Sequence, residues 1–105
     1  MKFGLLMPHF GEHANRRALL DGAVLSESFG FDSLWVRDHL VFEPHAEMEA
    51  ANNTFFEALT TLTAIGAVTE KISLGTGSLV PFRHPVHLAI SIATITRLVG
   101  DRMIL

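Results

Sequence analysis

Ser33-Leu34-Trp35-Val36-Arg37-Asp38-His39 is the stretch on which the reading of this chain turns. Its first four residues fit a short buried strand, and a charged, titratable pair follows where that strand emerges. Parallel α/β folds place their chemistry at this end of their strands. The next strand-like run behaves alike: Ile72-Ser73-Leu74 leads into Gly75-Thr76-Gly77-Ser78, whose small side chains let backbone approach a flat ligand closely.

Working outward, strand-like runs begin near Phe3, Ser33, Ile72 and Arg102, with one helical pattern between each pair. The first helix is predicted from Asn15, a good N-cap, to Phe29, with Leu19, Gly22, Ala23, Ser26 and Phe29 on one face. Gly30 supplies its stop, and Arg17 and Asp21 lie on the solvent side. Thr54-Phe55-Phe56-Glu57 reads as a capping box opening the second helix, whose buried face is Phe55, Leu59, Leu62 and Gly66. The third helix starts at Pro85 and ends at Gly100. Only His87, Ser91, Thr94 and Arg97 make a polar stripe on it, so it suits a helix covering a sheet between helical neighbours. The phenylalanines, Phe55, Phe56 and Phe82 included, read as core.

The order β-α-β-α-β-α-β without a hairpin signal implies an α/β fold with a parallel sheet and right-handed crossovers. A doubly wound sheet and part of a (β/α)8 barrel both satisfy it. The turn after the first strand, Met7-Pro8-His9-Phe10-Gly11-Glu12, lacks the G-x-G-x-x-G fingerprint, and unbroken βα repetition favours the barrel. A full barrel needs ~250 residues. Residues 1–105 are therefore expected to be its first three and a half units, an incomplete domain with Leu105 inside the fourth strand. A sheet with open edges and a bare apolar face predicts an oligomeric, aggregated or molten state for such a piece expressed alone. The long connection from His39 to Asn53 reads as a lid or substrate loop.

Composition narrows the partners. At 49% hydrophobic and 18% charged, the 105 residues describe a folded chain. A net charge of −3 offers no basic patch for nucleic acid or anionic membrane. Cysteine is absent, and no apolar run approaches the ~20 residues of a membrane span. A soluble cytoplasmic protein is the expectation. Six histidines raise a metal hypothesis, but His9-Phe10-Gly11 gives one ligand where barrel hydrolases place two. Helical spacing would pair His84 with His87 only if both lay within the helix, and Pro85 sets His84 at its edge. Glu43, Glu47 and Glu49 near His45 read as a solvated acidic loop, so no metal site is predicted.

Among single residues, His39 is the candidate for chemistry, since an imidazole can donate or accept a proton near neutral pH. Asp38 could fix local backbone or bond a ligand ring. Gly75 to Ser78 could be a bulge in which glycine supplies positive φ. Phe82 and Arg83 could reach a ligand across the same loop.

Five segments in order resemble one family. Gly30-Phe31-Asp32-Ser33-Leu34-Trp35-Val36 with Asp38-His39, Val68 to Gly77, Arg83-His84-Pro85-Val86 with Leu88-Ala89, and Gly100-Asp101-Arg102-Met103-Ile104-Leu105 resemble the N-terminal part of the bacterial-luciferase-like superfamily of flavin- and deazaflavin-dependent oxidoreductases. Asp38-His39 and Asn53-Thr54-Phe55-Phe56-Glu57 lean toward the branch that uses coenzyme F420, a deazaflavin, with FMN the alternative. The resemblance implies a (β/α)8 barrel and transfer of a hydride to or from a small organic substrate. It implies a catalytic His39, with Asp38, Thr76, Gly77 and Ser78 at the cofactor. It also implies a cis peptide at Gly77–Ser78 backing the ring, a homo-oligomer, and further cofactor contacts beyond Leu105. An FMN-dependent monooxygenase, a metal-dependent hydrolase and a non-catalytic, self-associating half-barrel are the rival readings.

Overall fold

The computed structural model describes residues 1–40 and 54–105. Most of the proposed lid, with His45 and Glu43, Glu47 and Glu49, lies outside the described residues. Seven elements alternate: β1 (Gly4–Leu6), α1 (Arg16–Ser28), β2 (Ser33–Val36), α2 (Ala58–Val68), β3 (Ser73–Thr76), α3 (Pro85–Val99) and β4 (Met103–Ile104). The strands pair in parallel in the order β1-β2-β3-β4. Strand order never reverses, so right-handed crossovers put every helix on one face. That is the arc of a barrel; a doubly wound sheet needs a reversal.

Register divides the strand side chains accordingly. Leu34, Val36 and Leu74 turn toward the helices and are fully buried with Ala23, Ala58, Leu62 and Ile65. Trp35, in register with Leu6 and Gly75, faces the other way. A Cβ on Gly75 would lie 2.6 Å from Trp35 Cζ3, so only glycine leaves room for the indole to lie over β3. The inner face carries Ser33, Trp35 and Ser73, bordered by the exposed Leu6 and Ile104.

The first and third helices follow local signals. Asn15 Oδ1 accepts the Ala18 N–H at 2.8 Å, and Gly30 has φ +83° past the C-cap. Phe29, however, is exposed at the C-cap and does not extend the buried face of Leu19, Ala23 and Ser26. Pro85 opens α3 and Gly100, at φ +79°, closes it. Of the apolar surface of α3, Ile95 and Val99 are buried while Val86, Ile90 and Leu98 stay exposed. Among the helices its principal packing partner is α2.

The second helix corrects the expected capping box. Glu57 is itself the N-cap, its Oε2 accepting the Thr60 N–H at 2.8 Å. Thr54 to Phe56 run extended instead, against the loop after β1. Gly11 N–H donates to Thr54 O, Phe56 N–H donates to His9 O, both at 2.9 Å, and Phe10 bridges Phe55 antiparallel. Phe55 therefore lies outside the helix, and Phe56 and Phe82 are exposed and not core. Glu57→Ala is expected to cost about 1 kcal/mol or more through the lost cap. Thr54→Ala, which keeps the carbonyl that holds Gly11, should cost less. Urea unfolding of the two variants checks the order.

Candidate active site

At the C-terminal tips of β2 and β3 the ladder continues one bond past the strands, Gly77 N–H donating to Val36 O at 2.8 Å. The Gly77–Ser78 peptide is cis, and neither Gly75 nor Gly77 has positive φ. The bulge thus follows the resemblance and not the positive-φ reading. Gly77 and Ser78 are exposed. Among the described residues a Cβ at Gly77 would find only Trp35 Cε3 at 3.9 Å and Val36 O at 4.0 Å, so they leave the space beside the bulge open. Thr76, 3% exposed, buries a hydroxyl with no hydrogen-bond partner among the described residues.

Asp38 is 4% exposed and its carboxylate is heavily used. It accepts the Val80 N–H at 2.8 Å, Arg83 Nη2–H at 2.7 Å and a further bond from Arg83 Nη1. Arg83 Nη2 also donates to Glu57 Oε1 at 2.8 Å. Sequence reasoning aimed Arg83 at a ligand; its guanidinium lies between two carboxylates instead, while Phe82 projects into solvent. Burial raises the Asp38 carboxyl, but the hydrogen bonds from Arg83 and Val80 outweigh it and hold the group below its ordinary value. The hydrogen bond to Asp38 likewise raises Arg83, which stays a cation throughout.

His39 is half-buried, its ring edge-to-face with Phe55 at 5.9 Å between centroids. The Phe55 ring also meets His9 at 5.4 Å. His9, wholly buried, was weighed only as a metal ligand and proves structural. Its Nδ1 lies 3.0 Å from Met7 O, and Arg37 N–H donates to Nε2 at 3.1 Å, with Arg37 O 2.8 Å from the same nitrogen. Both ring nitrogens thus meet backbone groups, and the ring ties the segment after β1 to the tip of β2. Arg37 stacks on Phe10, 3.9 Å from the ring centroid. Among the described residues no three His, Asp or Glu side chains gather as a metal would require.

A pH dependence follows from these groups. Burial lowers His9, so its contribution is complete above about pH 6.5 and lost as pH falls through its lowered folded value. Asp38, Glu57 and Glu27 are also lowered, against the pull of burial, by their hydrogen bonds. Their contribution is complete above about pH 4–5 and drains away below it. Stability should fall in two stages on acidification. Urea midpoints between about pH 8 and 3 check this, and His9→Gln should remove the upper stage only.

The match to known proteins covers every residue. A model of the luciferase-like monooxygenase family fits residues 1–105. The chain belongs to the luciferase-like monooxygenase family. Within that family it is 42% identical over 89 residues to an F420-dependent glucose-6-phosphate dehydrogenase of Microbacterium testaceum, covering 83% of this chain and 25% of that protein. It superposes with a TM-score of 0.69 at 28% identity on an F420-dependent secondary alcohol dehydrogenase bound to an F420–acetone adduct, covering 98% of this chain and 30% of the other. The FMN-bound oxygenating constituent of 3,6-diketocamphane monooxygenase of Pseudomonas putida gives 0.71 at 22% identity, covering 100% and 28%, and shares the fold. The chain spans about a quarter of the length of the curated relative. As a luciferase-like chain it is an arc of a (β/α)8 barrel, and no helix among its described residues is long and apolar enough to cross a membrane.

Proposed function

We propose that this chain forms the first βα units of an F420-dependent oxidoreductase that moves a hydride between the cofactor and a small alcohol or carbonyl compound. The observation that carries the reading is the pair of adjacent strand tips. One is stripped to Gly77–Ser78 with space beside it that the described residues leave open, and the other presents His39. The relatives above 25% identity carry F420 in their names, whereas the FMN-bound protein shares only the fold. These residues fit one flank of a planar ring. The Gly77–Ser78 backbone would back it, with Thr76 and Asp38, the other residues expected at the cofactor, buried behind that wall. When bound, the deazaflavin supplies a two-electron hydride acceptor or donor.

The rest falls to the chain's own atoms. His39 takes the proton of a substrate hydroxyl as the carbinol carbon gives up its hydride, and returns it in the opposite direction. Asp38, spent on Arg83 and Val80, serves the site by shaping the loop. Self-association suits the exposed Val86, Ile90 and Leu98 of α3, and a cysteine-free chain suits the reducing cytoplasm.

Parallel titrations with F420 and FMN test this, read by bound-cofactor absorbance. F420 should bind and FMN should not; preferential FMN binding with oxygen consumption would establish a monooxygenase instead. Gly77→Val, which meets no backbone clash, should remain folded and lose cofactor affinity by roughly tenfold or more, as a branched side chain takes the space beside the bulge.

A further inference from the structure

We propose that Arg83 is a positioning residue: clamped between Asp38 and Glu57, it locks the loop after the Gly77–Ser78 bulge to the tip of β2, so that the cofactor wall and His39 hold one spacing. The inference rests on the reading above for its meaning at the cofactor, but not for its geometry.

Three separate pieces of chain end on this guanidinium. Asp38 lies at the tip of β2, next to His39. Val80 lies two residues past the bulge; its N–H donates to Asp38 Oδ2 at 2.8 Å and its carbonyl accepts from Arg83 Nη1 at 3.3 Å. Glu57 is the N-cap of α2 and follows Phe55, the ring against His39. Arg83 therefore reaches both supports of His39, the strand tip before it and the Phe55 segment beside it. Its side chain is 17% exposed and that of Asp38 is closed to solvent, so water competes little at the Asp38 end, while Glu57, 46% exposed, holds the outer end. A planar guanidinium can hold two carboxylates and a carbonyl at once; an ammonium cannot reproduce that fork.

The clamp is separable from general stability because the chain has a second guanidinium of the same kind. Arg102 bonds carbonyls at the opposite ends of the strands. Arg83→Met, Arg83→Lys and Arg102→Met should therefore be compared by amide hydrogen exchange without cofactor. In Arg83→Met, exchange at Gly77 to Val80 and at Asp38 and His39 should accelerate by roughly tenfold or more while Leu34 and Leu74 keep their protection. Arg83→Lys, which keeps the charge and the fold, should accelerate the same amides by less. Arg102→Met should accelerate exchange elsewhere and leave those amides no more affected than the core.

F420 titration and turnover supply the second arm. Arg83→Lys should lose turnover by a larger factor than it loses cofactor affinity, because the ring's wall persists while the spacing to His39 relaxes. Uniform acceleration across the sheet in both Arg83 variants, or unchanged exchange at Gly77 to Val80, overturns the clamp. Failure of the parent protein to bind F420 overturns the functional reading alone, since the exchange pattern is scored without cofactor.

Discussion

On the F420-dependent function proposed above, replacing His39 with Ala should lower turnover by about 10²–10⁴-fold, the usual contribution of a positioned general acid–base. Cofactor affinity should change little, since the wall proposed for the ring is the cis Gly77–Ser78 segment and not the imidazole. The substitution leaves Asp38, Arg83 and Val80 bonded to one another, so the strand tip should keep its shape. Phe55 loses an edge-to-face neighbour and keeps its contact with His9, which limits the structural cost. Paired measurements of kcat and F420 affinity across the pH range decide the matter. Full turnover at every pH would make His39 a loop residue and remove the proposed proton transfer.

Arg102→Ala should cost about 3 kcal/mol or more of folding stability, lowering the melting temperature by roughly 10 °C or more. The Arg102 guanidinium donates to Val99 O at 2.6 Å, Gly66 O at 2.8 Å, Thr69 Oγ1 at 3.0 Å, Thr69 O at 3.1 Å and Ile72 O at 3.2 Å. It thereby satisfies carbonyls at the end of α2, where Thr69 is a C-cap in extended conformation and no glycine turn closes the helix. Truncation would leave several part-buried acceptors without a donor. Thermal unfolding checks the size of the loss. A change below about 1 kcal/mol would mean that water replaces the guanidinium freely.

The elements whose making is local were legible in the chain. Asn15, Gly30, Pro85 and Gly100 act within one turn of themselves, so helix ends at those positions follow from sequence. The strand Ser33 to Val36 was legible as an apolar run, but the two-sided division of Leu34 and Val36 from Trp35 was not, since all three are apolar. Thr54 misled because its spacing to Glu57 suits a capping box, while the backbone there is claimed by Gly11 and His9, more than forty residues earlier. Such pairing leaves no periodic trace. Arg83 was noticed, and its partners Asp38 and Glu57 were noticed, but nothing in their spacing joins them. Glu27 is the plainest omission. It reads as an ordinary surface acid on α1, yet its carboxylate accepts the N–H groups of Glu70, Lys71 and Ile72 at 2.6–3.1 Å and fastens the turn into β3.

Trp35 lies across the face of the sheet turned away from the helices, its indole N–H bonded to Ser33 Oγ at 2.8 Å and its six-membered ring over Gly75. It is the only tryptophan in the sequence, and tyrosine is absent. Near-ultraviolet excitation therefore interrogates a single spot, on the concave wall of the arc. Anything that comes to rest there, whether more strands of a barrel or a second molecule, would exclude water from that indole and shift its emission to the blue. The fluorescence spectrum of this protein is in effect a one-pixel image of whether its barrel is closed.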